Sequence, residues 1–411
     1  MGMDNPSFHG WRMVALAFMA SNIGLNVVIT TFGPAMPVLE RELGASRAGV
    51  SVAFGIMMLM LGVLAPLVGG LAQRGGLRRL MVAGALINAA GFLLLAFAGS
   101  LWMLIAGYGV IIGTGACILS IIGAPTLICR WFEKDRGKAL GIGLMPALGL
   151  VAAPVAAWLA VAGGGRLLFL VLAGLFMLLV PFMFLVIDRP EQVGQIPLRQ
   201  QPAPPDAGNA VVTGGAPVLI LTDWRFWVLS LSIGCLSVAG LTLGSHAPAM
   251  AAAKGVELTT GAMLLSAVGA GAIVGSPGFG WLIDRVGPFN ALAAALFSSG
   301  MLWAMFAFAP TMSLLLPLSF IMGFTLGGTL ALHSACLNDL FGSGRFSGAM
   351  GMGYLAKAPF VFGAAPLAGF LYDLAGGYGW AYLVCATVPM IGALAALLLA
   401  GERRRRTLPA P

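Results

Sequence analysis

Lys357 stands near the middle of the apolar run Phe346 to Leu371. At about 1.5 Å of rise per residue its ammonium lies roughly 18 Å from either polar end of a helix long enough to cross a bilayer. A lysine cannot snorkel that far, and holding its charge at that depth costs at least ~2.5–3.5 kcal/mol. None of the 14 acidic residues of the chain lies at comparable depth in an apolar run. The chemistry open to such a cation is recognition of an anion from outside the chain, and a compact ammonium suits a carboxylate. Tyr354, one helical turn earlier, can donate a phenolic hydrogen bond to the same anion.

Other polar groups are candidates for the same site. Asn22, Asn26, Thr30 and Thr31 fall in the first apolar run, with Asn22 and Asn26 at i, i+4 on one face and Thr30 continuing that stripe. In lipid such a stripe either glues two helices or lines a wet cavity. His246, near the outer end of the run 224–250, reads as an interfacial histidine or as a substrate contact, gate or proton carrier. His333 reads as a hydrogen-bonded packing residue or as a second proton-coupling group. Asp339 and Arg345 flank a Phe-Gly-Ser-Gly turn and are expected to form a local ion pair or gate.

Several chemistries are excluded as readings. The acids lie in loops at opposite ends and the three histidines are scattered, so no acid–base or nucleophilic constellation forms. No Gly-rich run ends in Gly-Lys-Ser or Gly-Lys-Thr, so ATP is not expected as the energy source. The five cysteines show no CxxC or metal spacing, and no cofactor or metal is expected.

The elements that must position these groups are membrane helices. Charged residues make up 9% of the chain against about 25% in soluble domains, which marks a polytopic membrane protein. The 59 glycines suit close helix packing in lipid. Apolar runs fall at 11–37, 46–71, 78–99, 101–129, 138–162 and 166–187, then at 224–250, 258–283, 288–309, 311–338, 346–371 and 376–400. That is an all-α membrane protein of twelve transmembrane helices in two six-helix halves, 1–187 and 222–411. A Pro- and Gly-rich linker, 188–221, joins them. His9-Gly10-Trp11-Arg12 precede the first run without a small-x-small cleavage site, so that run reads as a retained helix.

With both termini cytoplasmic, every Lys and Arg except Arg41, Arg47, Arg166, Lys254 and Lys357 falls on the cytoplasmic side. The expected setting is therefore the cytoplasmic (inner) membrane. The Arg403–Arg406 tail reads as a topology anchor on anionic lipid rather than a nucleic-acid patch. A monomer is expected.

Equivalent loops occur in the two halves. After the second run stands Gly69-Gly70-Leu71-Ala72-Gln73-Arg74-Gly75-Gly76-Leu77-Arg78-Arg79, and after the eighth Gly280-Trp281-Leu282-Ile283-Asp284-Arg285-Val286-Gly287. Both resemble the G-x-L-x-D-R-x-G loop of the major facilitator superfamily, and the resemblance spans the whole chain. It implies two pseudo-symmetric halves and transport by alternating access. Gln73 replaces the acid of the first loop, which removes a charge–dipole interaction worth ~0.3–1 kcal/mol.

Gly10-Trp11-Arg12, Gly44-Ala45-Ser46-Arg47, Arg130 to Ala139 and Tyr354-Leu355-Ala356-Lys357 look more narrowly like the monocarboxylate-transporter and oxalate:formate-antiporter branch. That likeness implies that Lys357 contacts a substrate carboxylate. The charge those groups carry in helix eight is absent from the interior of 258–283, which argues against a tightly held dicarboxylate. Gly141 to Leu150 is Gly-rich but lacks the Gly-Pro-x-x-Gly-Gly signature of drug exporters. The expected activity is thus secondary transport of a small organic anion, a mono- or dicarboxylate. It is read as proton-coupled, with carboxylate exchange or export of hydrophobic compounds as alternatives.

Overall fold

The computed structural model describes residues 9–74, 76–132, 136–195, 218–309, 311–341 and 346–407. An apolar chain in lipid must satisfy every backbone polar group internally, and among the described residues it does so with helices. Six spans precede the linker: α1 (Gly10–Leu43), α2 (Arg47–Arg74), α3 (Leu77–Leu95), α4 (Leu101–Trp131), α5 (136–162) and α6 (165–184). Six follow it: α7 (Trp224–Ala252), α8 (Leu258–Val286), α9 (Pro288–Phe308), α10 (Met312–Phe341), α11 (346–375) and α12 (Gly379–Thr407). An even number of crossings puts both ends of the described chain at one end of the bundle, the terminus end. Most of the linker, 196–217, lies outside the described residues.

The later part of α5 and all of α6 lie in the 36-residue stretch Gly149–Phe184, which is kinked at Gly163 and Gly164. Gly164 has φ +69°, and a Cβ there would meet Glu42 Oε1 at 2.3 Å. Glu42 accepts the Gly165 N–H at 2.9 Å, placing a carboxylate at the start of α6 where the helix dipole favours it.

Buried apolar side chains group by half. One cluster runs from Met13 to Val186 and reaches across only to Ala365. Two clusters belong to α7–α12, with Ala153 and Ala157 of α5 joining one of them. Between the halves, α2 packs on α11, α5 on α8 and α1 on α7.

Lipid supplies no hydrophobic drive for helix association, so contact depends on close approach. Helices α8 and α10 achieve it through two small-residue stripes. A Cβ on Gly271 or Gly275 would stand 1.9 Å from the Phe320 or Phe324 carbonyl oxygen. A Cβ on Gly323 or Gly327 would stand 2.0 or 2.4 Å from the Val268 or Ala272 oxygen. The glycine content serves the packing role expected of it here.

Gly275→Ala must therefore push α8 from α10, costing on the order of 1–3 kcal/mol. We expect a lower melting temperature and folded yield in detergent, while Gly174→Ala, which meets nothing within 4 Å, leaves both unchanged. A wild-type melt for Gly275→Ala would refute the packing argument.

Candidate ligand cavity

Proline and an ammonium meet in α11. Pro359 has no N–H to offer the Leu355 carbonyl, and the helix divides into Phe346–Ala356 and Ala358–Ala375 at Lys357. The break frees the Lys357 side chain to reach into a cavity of about 1220 Å³ between the halves. The cavity is lined by Asn26 and Ile29 of α1, Met58, Leu61 and Pro66 of α2, and Ile121 of α4. From the second half come Leu236, Ser237 and Gly240 of α7, Leu326 and Thr329 of α10, and Tyr354, Lys357 and Val361 of α11. These positions run from mid-span toward the terminus end.

Lys357 Nζ rests 3.9 Å from the centroid of the Tyr354 ring. No carboxylate among the described residues pairs with it; the ion pairs Glu40–Arg47, Asp223–Arg225 and Asp339–Arg403 lie elsewhere. A cation–π contact leaves the ammonium's donors available to an incoming acceptor. On the other side of Tyr354, the His333 ring lies edge-on at 5.9 Å. His333 is buried, and its Nδ1 has no hydrogen-bond partner among the described residues.

The stripe on α1 divides. The backbone widens to a π-turn over Asn22–Val27, and the two asparagines meet different surroundings. Asn26 lines the cavity. Asn22 is fully buried against the gap in α5: its Nδ2 donates to the Met145 carbonyl and its Oδ1 accepts from Leu148 N–H, both at 2.9 Å. It thereby satisfies backbone groups exposed around Pro146. Thr30 Oγ1 donates to the Asn26 carbonyl at 2.7 Å and, like Asn22, stands outside the cavity lining.

His246 is also outside the lining. It is fully buried where the halves meet, away from the terminus end. Its Nε2 is 3.0 Å from the Ala365 carbonyl and 3.3 Å from Ser51 Oγ, and its Nδ1 is 3.0 Å from Tyr378 Oη. A carbonyl only accepts, so Nε2 carries the proton and Nδ1 accepts from the Tyr378 hydroxyl. Tyr378 in turn accepts from Arg47 Nη1 at 3.1 Å, and Arg47 makes a two-pronged pair with Glu40 at 2.6 and 2.8 Å. Asp373 of α11 accepts the backbone N–H of Arg47 and Ala48 at 3.2 and 2.9 Å, capping α2 from the opposite half. This network joins the two halves at the far end.

Its partners are far apart in sequence, and of its members only His246 was a sequence candidate for the site. Arg47 stood in a family-like segment. The Gly-Gly-Tyr-Gly turn holding Tyr378 gave no local signal.

At the terminus end, Asp339 pairs with Arg403 of α12 at 2.7 Å, while Arg345 lies outside the described residues. In the first loop, Gly69 is open, Gln73 and Arg74 close α2, and Gly76 precedes α3. The carboxylate missing from position 73 is supplied by Asp188, which accepts the Arg78 N–H at 2.6 Å at the start of α3. The loss expected from Gln73 is thus offset from outside the loop. In the second loop, Gly280 is open, Asp284 and Arg285 end α8, and Arg285 stacks on Trp281 at 4.3 Å. Gly287 ends the turn at φ +83°.

The chain matches the Major Facilitator Superfamily over residues 13–356 and again over 247–411. It belongs to that family. Among its relatives, monocarboxylate transporter 13 of Bos taurus is 27% identical over 409 residues, covering 97% of this chain and 89% of the relative. Monocarboxylate transporter 3 of Rattus norvegicus is 30% identical, covering 91% and 76%. An uncharacterised MFS-type transporter, YcxA of Bacillus subtilis, is 25% identical, covering 91% of each chain. The protein is a multi-pass membrane transporter of this superfamily related to monocarboxylate transporters.

Cutting the network around Arg47 should open the far end. In a cysteine-free background, Val361→Cys on the cavity wall is expected to react with an impermeant thiol reagent only from the terminus side. Adding Arg47→Ala should raise labelling from the opposite side several-fold. Unchanged sidedness would show that Arg47 does not hold the closure.

Proposed function

We propose that this protein is a secondary active transporter of a small organic anion across the cytoplasmic membrane, with Lys357 as the counter-ion for a carboxylate. The observation that carries this reading is the Lys357 ammonium lining a cavity between two helical halves without a carboxylate partner among the described residues. An unneutralised cation in that setting is costly, and an arriving carboxylate removes the cost while leaving no protein pair to break. Tyr354 supplies a hydroxyl and Asn26 an amide from the facing half.

The bodies that move are the segments 1–187 and 222–411, joined by 188–221. Positive-inside counting puts both termini in the cytoplasm, so the cavity faces inward and the latch around Arg47, Tyr378 and His246 is the periplasmic gate. Asn22 and Thr30 then serve the α1–α5 contact rather than the ligand. Asp339, with Arg403 as its partner, belongs to the cytoplasmic side, where opening and closing alternate with the gate. His246 takes a gating role.

Lys357→Ala is expected to reduce carboxylate uptake into proteoliposomes by more than about tenfold. The melting temperature should be unchanged or raised, since an unpaired cation has been removed. Lys357→Arg should also transport poorly, because a planar fork does not reproduce a compact ammonium. Full transport by Lys357→Ala would sink the anion site and favour export of neutral hydrophobic compounds.

Coupling to protons has no acid to use in the cavity wall, which leaves His333 beside Tyr354, His246 in the gate, or Lys357 itself. Uptake driven by an imposed pH gradient is expected to vanish in the His246→Gln, His333→Gln double variant while counter-substrate exchange persists. Gradient-driven uptake that survives would leave Lys357 or a loop acid as the proton carrier.

A further inference from the structure

Among the described residues lining the cavity Lys357 is the only charged one, and most of the rest is hydrocarbon. Met58, Leu61 and Ile121 form a wall on the first half, and Leu236, Leu326 and Val361 one on the second. Asn26, Ser237, Thr329 and the Tyr354 hydroxyl are the uncharged polar groups of that described lining. We propose that the substrate is an amphipathic monoanion. One carboxylate meets Lys357, and an apolar body the size of an aryl-alkyl chain lies against Met58, Leu61 and Ile121. The proposal rests on the reading of Lys357 as the anion site and specifies what else the ligand must carry.

Three observations support it. First, a second carboxylate would have to leave water for a surface without a second cation, and a buried charge without a partner is strongly unfavourable. Second, an apolar body entering the cavity gains from every square ångström of hydrocarbon it removes from water, so affinity is offered chiefly by the walls. Third, a ligand shifts a two-state equilibrium only through contacts that differ between the states. A carboxylate of one or two carbons sitting on Lys357 has little beyond the Asn26 amide to touch on the facing half. A ligand with a longer apolar body touches α11 and the facing wall of α2 and α4, so its contacts depend on how the halves are arranged. A cavity of about 1220 Å³ leaves ample room for that body.

Purified protein in detergent is titrated by calorimetry with four matched probes: 4-phenylbutyrate, butyrate, glutarate and 4-phenyl-1-butanol. These respectively carry both features, lack the ring, replace the ring by a second carboxylate, and lack the charge. The expected result is 4-phenylbutyrate binding at least about tenfold more tightly than each of the others. That preference should be lost in Lys357→Ala. Met58→Gln, with its melt checked against wild type, should weaken 4-phenylbutyrate several-fold and leave butyrate unchanged.

Butyrate or glutarate binding as tightly as 4-phenylbutyrate, still dependent on Lys357, would overturn the apolar-body inference while sparing the anion site. The alcohol binding as tightly as the acid, or indifference of all four probes to Lys357→Ala, would overturn the anion site itself. Absence of binding by every probe would contradict the inference as stated.

Discussion

A charge held inside a membrane protein must be answered by another charge, by water or by a ligand, and the ammonium of Lys357 is the point at which this chain faces that demand. It is placed by a proline-broken turn of α11, it rests on the Tyr354 ring, and no described carboxylate reaches it. The remaining architecture can be understood from that constraint. Helices must approach closely enough to enclose a cavity around the cation, which the glycine stripes of α8 and α10 permit within their half. The described cavity walls are mostly apolar, and the polar groups of α1 are satisfied by backbone groups, as at Asn22, or turned inward, as at Asn26.

The two ends of the bundle answer different needs. Far from the termini, charged and aromatic groups from both halves interlock: Arg47, held by Glu40 of its own half, with Tyr378, Asp373 with the start of α2, and His246, held by the Ala365 carbonyl of its own half, with Ser51. The contacts of this kind that cross between the halves are polar, and water can replace them, alongside the apolar packing of α2 on α11. Toward the termini, Asp188 with α3 and Arg130 with the Ala72 carbonyl tie elements within the first half, and Asp339 with Arg403 does so within the second. Contacts of the second kind tie helices together within a half, whereas those of the first kind join the two halves at one end.

Much of this was legible in the sequence, for reasons that differ by residue. Twelve crossings follow from apolar run length, because lipid leaves a helix no alternative, and the depth of Lys357 follows from counting. The superfamily was legible from its two loops. The break at Lys357 could have been read from Pro359 but was not. A regular helical period puts Asn22, Asn26 and Thr30 on one stripe, but the α5 backbone groups that take up Asn22, and leave only Asn26 on the cavity, lie more than 120 positions away. His246 was correctly placed near a helix end, yet its partners Ser51 and Tyr378 lie 195 and 132 positions away, where no periodicity reaches. Asp188 standing in for the acid missing at Gln73 is likewise a tertiary substitution that no local motif reveals.

The central claim is that a carboxylate sits on the Lys357 ammonium, and the most direct measurement is protection of that amine. Reconstituted protein is treated with an amine-acylating reagent, with and without a pooled set of monocarboxylates, and modification at each lysine is read by mass spectrometry. Lys254, whose Nζ donates to the Phe306, Ala307 and Ala309 carbonyls outside the cavity, serves as the internal reference. The account predicts that the carboxylates slow acylation of Lys357 several-fold and leave Lys254 unchanged. Equal acylation of Lys357 with and without carboxylate, in protein that still transports them, would contradict it.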